Sequence, residues 1–516
     1  MPLTIGVPNE TADGETRVAL VPDVVRRLTD GGAEDRGLNV VVEEGAGEGA
    51  YHADEDFADA GAEVASREEV LGAEVVAIVA PLPEEEIRKL SDGQVLVGLL
   101  DPLGAPERIR TLAEVGATAL SMELVPRISR AQKMDALSAM SSLAGYRAAL
   151  IGAHALPKFF PLLTTAAGTI RPAQVLVLGA GVAGLQAIAT AQRLGAQTKG
   201  YDIREATREE VRSLGADFVD LEADIAGGEG EGGYAKELGE EIQERQPELL
   251  APHVAEADVV ISTALIPGGD APVLVSEEAV ETMAPGSVVV DLAAPGGGNC
   301  ALTEAGETVR EHGVQVFGPT NLPAEMPVHA SQLYARTVAA LVQAFVGDDG
   351  AFAPDFDDDV FAGACVAHDG DVRAERVREA LGLPAREEES AKEGKQEKGA
   401  GEEAQPEATH GSDDASGDAA RVIEGEPSGS EAAGGGASGS ETSEADDETG
   451  GAGEESTSGM GRTEQEKTGT GEDGGSGNES DEPGYAGEAQ ETTFGEDEAS
   501  AEEDETPDDE WKPPSA

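Results

Sequence analysis

The stretch QVLVLGAGVAGLQAIATAQRLGAQTKGYDIR, Gln174–Arg204, decides the fold. An apolar run leads through Gly179-x-Gly181-x-x-Gly184 into an Ala-rich helical pattern and then into a second run that ends at Asp202. At this spacing the first glycine allows a tight turn, the second lets a pyrophosphate approach the backbone, and the third lets the helix pack on the strand. The helix N-terminus presents free N–H groups to the phosphates. The stretch predicts a dinucleotide-binding βαβ unit.

Asp202 is the residue that selects the cofactor in this unit. It lies 18 residues after Gly184, close to where an acid accepts the hydroxyls of the adenosine ribose. An acid there repels a 2′-phosphate, which favours NAD(H) over NADP(H), whereas Arg204 argues in the opposite direction. We expect NAD(H).

Short apolar runs alternate with helical patterns on both sides of this stretch. The first group of predicted strands is Leu3–Val7, Val40–Glu43, Val75–Val79, Val95–Leu99 and Ala117–Met122. The second group covers 175–178, 197–201, 258–262, 287–291 and 314–317. The pattern predicts an α/β fold with two Rossmann-like, doubly wound parallel-sheet domains, and a ligand cleft between them at the carboxyl ends of the strands.

Two long helical patterns, Gln132–His154 and Ala330–Val346, are expected to bridge the domains. The first domain is predicted at 1–130, completed by about 330–384, and the NAD(H)-binding domain at 131–329. Past Leu383 the composition changes to Gly, Ser, Glu, Asp and Thr. Such a segment buries too little apolar surface to offset its ordering entropy, so 385–516 is predicted to be an acidic disordered tail. It serves either as a solvating extension or as a docking segment.

The chain is strongly acidic, with 103 acidic and 35 basic residues and a net charge of -68. The tail holds 40 acids and 8 bases, which leaves 63 acids and 27 bases in residues 1–384, of which only five are Lys. Such a surface repels itself unless salt screens it, which is typical of a halophilic protein. Direct binding to nucleic acid or to an anionic membrane surface is not expected.

Other composition features point to a cytoplasmic protein without a metal. The two cysteines, Cys300 and Cys365, and the lack of a signal peptide indicate a reduced compartment. The most apolar long stretch, Leu143–Leu163, is interrupted by Arg147, His154 and Lys158, so no direct membrane insertion is expected. The seven histidines have no metal-ligand spacing, and no metal site is expected.

Beyond the glycine motif, MELVPRISRAQKMDALSAMSSLAGYRA, Met122–Ala148, closely resembles the NAD(H)-binding component of proton-translocating NAD(P) transhydrogenase of the Re/Si-specific type. The resemblance covers about residues 1–375. It extends to the opening VPNETADGETRVALVPDVVRRL and, in order, to GGYAKELGEEI, STALIPG, APVLV, GGNC and GACVAHDG. Alanine dehydrogenase has the same architecture.

The resemblance implies a set of site residues. Arg127, Gln132, Asp135 and Ser138 are assigned to positioning the nicotinamide and its ribose, with Gln132 reaching toward the second nucleotide. Read without the resemblance, this polar cluster is a capped helix start with solvated charges. Tyr234 is expected to help close a Gly-rich loop over the nucleotide. The full cofactor-binding set is Arg127, Ile128, Ser129, Gln132, Asp135, Gly179, Ala180, Gly181, Val182, Gly184, Asp202, Ile203, Arg204, Gly233, Tyr234, Gln246, Thr263 and Leu265.

Alanine dehydrogenase chemistry needs an acid–base group, which that family supplies as a Lys and a His on two strands. The segments that correspond, Val75–Val79 and Val95–Leu100, contain neither. Arg17 matches the substrate-carboxylate Arg but is expected to be a structural ion-pair or capping residue. Relatives commonly carry an acid where this chain has Pro295, which is expected to alter a loop near the nicotinamide.

The resemblance implies an NAD(H)-binding alpha subunit that passes hydride to NADP⁺ on a beta subunit. It further implies a homodimer, located in the cytoplasm and held peripherally on membrane subunits that contain the proton path. The alternatives are an amino-acid dehydrogenase of the alanine type and an NAD-binding regulatory protein.

Overall fold

The computed structural model describes residues 2–30, 37–221, 240–266, 268–347 and 349–386. The predicted tail, 385–516, lies outside these ranges except for its first two residues. Gly233 and Tyr234 also lie outside them.

The strands fall where apolar and β-branched residues concentrate, as the sequence predicted for ten of them. In chain order they are β1 (Thr4–Val7), β2 (Asn39–Glu43), β3 (Glu63–Ala65), β4 (Val75–Ala77), β5 (Val95–Gly98), β6 (Thr118–Ser121), β7 (Leu163–Thr165), β8 (Gly168–Ile170), β9 (Gln174–Leu178), β10 (Gln197–Tyr201), β11 (Asp217–Phe218), β12 (Val259–Ser262), β13 (Val288–Asp291), β14 (Thr308–Glu311), β15 (Val314–Phe317), β16 (Cys365–His368) and β17 (Asp371–Val372). The strands that the sequence missed lie at or near the sheet edges or form the hairpin β7–β8, and each is too short or too exposed to show a pattern.

The helices connect these strands in the βαβ manner. They are α1 (Pro22–Thr29), α2 (Asp54–Asp59), α3 (Arg67–Leu71), α4 (Glu84–Ile87), α5 (Pro106–Glu114), α6 (Ala136–Ala155), α7 (Val182–Arg193), α8 (Thr207–Ser213), α9 (Glu240–Glu256), α10 (Glu277–Thr282), α11 (Pro327–Ala344), α12 (Asp359–Ala364) and α13 (Glu375–Ala380). The pattern that was expected to be helical from Gln132 starts its α-helix only at Ala136, after a 3-10 turn.

The first sheet has eight strands in the order β17-β16-β6-β5-β4-β1-β2-β3. Strands β1 to β6 pair in parallel. The chain returns late to add β16 antiparallel to β6, and β17 antiparallel to β16. The strand order reverses at β1, whose neighbours are β2 and β4.

The second sheet has seven strands in the order β11-β10-β9-β12-β13-β15-β14. All pairs are parallel except β14 with β15. Its order reverses at β9, so the crevice for a ligand lies at the carboxyl ends of β9 and β12. Both sheets are thus doubly wound and mainly parallel, with antiparallel edges that the sequence did not predict.

Helix α6 contributes to the cores of both sheets. Met140 and Leu143, in its first half, pack into the core that contains β1 and α11. Ala148 and Ile151, in its second half, pack into the core under β9 and β12. Because one helix is shared, its two ends hold the nucleotide crevice and the segment before Ala136 in a fixed relation.

Candidate functional site

The loop between β9 and α7 has the backbone geometry of a phosphate-binding turn. Gly179 has a φ of 94°, which residues with a side chain rarely adopt. A Cβ on Gly184 would lie 1.8 Å from the carbonyl oxygen of Gly179, so only glycine lets α7 start this close to β9. A Cβ on Gly181 would have Nη2 of Arg204 as its nearest neighbour, at 3.7 Å. The face of Gly181 is therefore open, beside the N–H groups of the first turn of α7.

The carboxylate of Asp202 is already bonded to protein groups. Its Oδ2 accepts from the backbone N–H of Ala180 and from Nη2 of Arg204, both at 2.8 Å. Its Oδ1 accepts from the backbone N–H and from Nε of Arg204, both at 2.9 Å. The side chain of Asp202 is only 6% exposed, and Ile203 packs against the core behind it. Asp202 thus ties the glycine loop to the end of β10 and holds a balancing cation beside it.

Two more of the predicted residues lie after β12, next to the glycine loop. The Thr263 hydroxyl donates to the carbonyl of Gly179 at 3.0 Å. Leu265 is 51% exposed, and a Cβ on Gly296 would lie 3.7 Å from its side chain. Pro295, the departure from the family pattern, is exposed on the short turn Ala294–Gly296 that faces Leu265. The structure therefore places that departure beside a predicted site residue.

Gln246 is buried in α9 and does not face an open crevice. It donates from Nε2 to the hydroxyl of Tyr201 at 2.8 Å, at the end of β10. Val182, the first residue of α7, is exposed, and Ala180 is buried. The described residues of the predicted adenosine side therefore meet at the carboxyl ends of β9, β10 and β12, with Gln246 as support.

A buried network that the sequence did not single out fixes the loops of this crevice. The fully buried carboxylate of Asp291, at the end of β13, accepts hydrogen bonds from the Ser262 hydroxyl, the Thr303 hydroxyl and three backbone N–H groups. Asn299 in turn bonds both backbone groups of Ala264 and the carbonyl of Pro272. An acid directly after three valines, followed by a Gly-Gly-Gly-Asn turn, was the available signal. This network holds the backbone on both sides of Leu265.

The predicted nicotinamide segment lies just before α6. Ser129–Met134 forms a 3-10 turn on which Ser129 and Gln132 are exposed, as is Arg127 just before it, while Ile128 is half-buried. Asp135 accepts from the backbone N–H of Ser138 at 2.8 Å and from its hydroxyl at 2.6 Å. Asp135 and Ser138 therefore cap α6, which was the interpretation of this cluster without the resemblance. Their capping bonds leave the exposed side chains of the segment as its candidate contacts to a ligand.

The crossing of α6 and α7 joins this segment to the glycine loop. A Cβ on Gly145 would lie 2.0 Å from the carbonyl oxygen of Ala183, so the two helix backbones touch at the first turn of α7. At a rise of about 1.5 Å per residue, Asp135 lies about 15 Å along α6 from that contact. This spacing suits a site whose two ends hold the two halves of one dinucleotide.

The corresponding crevice of the first sheet is filled by the protein's own carboxylates. At the reversal between β1 and β4, Glu10 accepts from the backbone N–H of Val79 at 2.6 Å and of Ala80 at 3.0 Å. Burial raises the pKa of Glu10 to about 7, although these two N–H groups act in the opposite direction. The backbone donors that a ligand would use there are therefore occupied.

Arg17 is a structural ion-pair residue, as the sequence suggested. It is buried and bonds Glu15 through Nε at 2.7 Å and through Nη2 at 2.5 Å. Burial by itself would raise the pKa of Glu15, but the contacts with Arg17 lower it overall. Both charges of this pair are thus compensated within the protein.

Among the described residues, no helix combines the length and the apolar character needed to cross a membrane. Within the same ranges, no group of three His, Cys, Asp or Glu side chains is arranged to hold a metal ion.

Two family models match the chain. The model described as "Alanine dehydrogenase/PNT, N-terminal domain" matches residues 6–144. The model described as "Alanine dehydrogenase/PNT, C-terminal domain" matches residues 148–375.

Curated relatives and a solved structure cover the same region of the chain. An NAD(P) transhydrogenase subunit alpha chain of Rhodospirillum rubrum is 44% identical over 377 residues, which are 71% of this chain and 97% of that protein. Alanine dehydrogenase of Bacillus subtilis is 36% identical over 340 residues, or 63% of this chain and 81% of that protein. The crystal structure of transhydrogenase from Sinorhizobium meliloti has a TM-score of 0.64 and 39% identity, and it covers 72% of this chain and 99% of that one.

Proposed function

Because this chain belongs to the family of NAD(P) transhydrogenase alpha subunits, within the alanine dehydrogenase/PNT group, we propose that it holds NAD(H) and exchanges hydride with NADP(H) bound on a beta-type partner subunit. The observation that carries the proposal is the open face of Gly181 at the start of α7. Asp202 and Thr263 converge on the same loop. This arrangement fits a pyrophosphate with an adenosine ribose beside it.

The residues of the chain divide the work between the two ends of the cofactor. Gly179, Gly181 and the first turn of α7 bind the pyrophosphate, and Asp202 accepts from the ribose. Arg127 and Gln132 orient the nicotinamide end, while Asp135 and Ser138 hold the start of α6 in place. When bound, the reduced nicotinamide supplies a hydride that passes directly to NADP⁺ on the partner.

The first sheet gives a reason to prefer this reaction over amino-acid oxidation. Oxidation of an amine needs a proton acceptor near the substrate, and β4 and β5 carry neither Lys nor His. The guanidinium of Arg17 is bound by Glu15, so it lacks the free charge that a substrate carboxylate would need. Hydride exchange between two nicotinamides moves no proton at this site and requires only alignment and exclusion of water.

We further propose that the subunit works in the cytoplasm as a homodimer, peripherally attached to membrane subunits that translocate protons. The hairpin β7–β8 offers a surface for a second copy, since Leu162 is 61% exposed, and Phe159 and Ile170 are exposed beside it. Leu162→Asp should convert a dimer into monomers in sedimentation velocity, because burying a carboxylate at such an interface is costly. The exchange Thr164→Asp, on the same hairpin but at an exposed polar position, is the control.

The function itself is tested with the full chain and an isolated NADP(H)-binding beta subunit. Mixing NADH, NADP⁺ and both proteins should give NADPH at a rate that neither protein gives alone. The chain alone should reduce no NAD⁺ when L-alanine is added.

The rival functions give different results in the same assay. Appreciable alanine-dependent reduction of NAD⁺ would identify an amino-acid dehydrogenase. NADH binding without any hydride exchange in the presence of the partner would identify a regulatory protein.

A further inference from the structure

A carboxylate far away in the sequence holds the segment that carries Gln132. Asp358 lies directly before α12, 228 residues after Arg130. Its Oδ2 accepts from Nη1 of Arg130 at 2.6 Å, and its Oδ1 accepts from Nη2 at 2.8 Å. This two-bond geometry is the strong form of the arginine–carboxylate pair, because it fixes direction as well as distance.

The carboxylate is itself held rigidly. Oδ1 of Asp358 also accepts from the backbone N–H groups of Val360 at 2.7 Å and Phe361 at 3.2 Å, so Asp358 is the N-cap of α12. The contact with Arg130 lowers the pKa of Asp358, and the pair stays charged near neutral pH. A rigid acceptor can fix a flexible arginine, whereas two mobile side chains cannot fix each other.

Helix α12 supports the same segment at its other end. A Cβ on Gly363 would lie 3.1 Å from Cδ of Pro126 and 3.4 Å from the carbonyl oxygen of Leu124. Phe361 is fully buried in a core against which Val125 and Ile128 pack. The residues just before the 3-10 turn are therefore seated on α12, and Arg130 within the turn is bound to its cap.

We propose that Asp358 is a positioning residue for hydride transfer, acting through Arg130 to fix the turn on which Gln132 lies. Arg130 precedes Gln132 by two residues within the turn Ser129–Met134. A shift of the arginine therefore moves Gln132 directly. This inference rests on the function proposed above, because it gives Gln132 a role at the nicotinamide.

The test compares three variants of the full chain. Asp358→Asn keeps an N-cap acceptor but removes the charge that binds Arg130. Arg130→Gln breaks the same pair from the other side and leaves the cap of α12 intact, so it decides the matter if Asp358→Asn fails to fold. Glu84→Gln is the control, since it breaks the exposed ion pair with Arg88, which is separate from the proposed site.

Hydride transfer with the beta subunit should fall by about tenfold in Asp358→Asn and in Arg130→Gln, because misplacement of a positioning group by about 1 Å can cost up to ~100-fold. The dissociation constant for NADH should change by less than about twofold, since the adenosine side is untouched. Arg130→Lys should recover some of the rate, as it restores one charged contact. The melting temperature and the rate of Glu84→Gln should stay at wild-type values.

Unchanged transfer in both pair variants would overturn the proposal. So would a loss of rate that Glu84→Gln shares, or one that follows the melting temperature, because either would show a general effect on stability. If the wild-type chain transfers no hydride, the proposed function fails. The emission spectrum of bound NADH then still reports whether the pair variants alter the surroundings of the nicotinamide, and an unaltered spectrum overturns the inference separately.

Discussion

At the residue scale, the choice between NAD(H) and NADP(H) depends on a neutralised pair rather than on a lone acid. Asp202 meets Arg204 through three hydrogen bonds. Removing the acid therefore has two effects on a nucleotide: it deletes an acceptor for ribose hydroxyls, and it leaves the guanidinium without this counter-charge. The cation is then better placed to accept a 2′-phosphate.

Asp202→Ala should weaken NADH binding by about tenfold or more, which corresponds to a charged hydrogen bond of roughly 1.5–3 kcal/mol. NADPH binding should weaken less or improve, so the affinity ratio shifts toward NADPH. Titration of each nucleotide by its fluorescence measures both. An unchanged dissociation constant for NADH would remove Asp202 from the ribose site.

Glu10 gives the stability of the protein a defined pH dependence. Its pKa is raised from 4.5 to about 7 by burial, so the native state binds this proton more tightly than the unfolded chain. The resulting stability is complete below pH 4.5 and is lost as the pH rises through about 7.

The variant Glu10→Gln cannot ionise and should lack this loss. Relative to it, the wild-type free energy of unfolding should fall by up to about 3 kcal/mol between acidic pH and about pH 8. Urea denaturation of both proteins at a series of pH values and constant salt measures the difference. Two curves that run parallel would contradict the assignment.

At the element scale, α7 separates a packing requirement from a binding requirement. Gly184 faces the carbonyl of Gly179 at a distance that no side chain tolerates, whereas Gly181 has an ordinary φ of -76° and an open face. The two glycines of one motif are therefore needed for different reasons.

Gly184→Ala should destabilise the fold by about 3 kcal/mol, because α7 must move away from β9. Gly181→Ala should unfold within roughly 0.5 kcal/mol of the wild type but bind NADH at least about tenfold more weakly, since its Cβ occupies the approach of the pyrophosphate. Denaturation and NADH titration of both variants test this contrast. Wild-type NADH affinity in Gly181→Ala would place the pyrophosphate elsewhere.

On the scale of the whole molecule, a net charge of -68 opposes the compact state. Salt shortens the range of this repulsion, from about 10 Å at 0.1 M to about 3 Å at 1 M. The described ion pairs are too few to cancel it, because most acidic side chains have no basic residue to pair with.

The melting temperature should rise by about 5 °C or more between 0.1 M and 1 M KCl, which corresponds to roughly 2 kcal/mol for a protein of this size. Sucrose at matched osmolality is the control, because it strengthens apolar burial without screening charge. Equal stabilisation by both solutes would show that charge repulsion is not the cause.

Prediction from sequence succeeded where the signal lies within one segment. The ten main strands, the glycine loop and the long helices were predicted because apolar period, glycine spacing and helix length are local. The start of α6 was misplaced by a few residues, since the 3-10 turn before Asp135 has the same apolar spacing as a helix turn. The outer strands β3, β11, β14, β16 and β17 were missed because each is short or buries few residues.

The sequence alone determined that this chain forms two doubly wound sheets and a dinucleotide turn at Gly179–Gly184, because steric demands at each glycine and the burial of each apolar run act on neighbouring residues. Only the tertiary structure decided which charges meet: Asp358 with Arg130, Glu10 with Val79 and Ala80, and Asp291 with Asn299. The physical reason is that a carboxylate binds whichever donor the fold brings within about 3 Å, and no pattern along the chain records that distance.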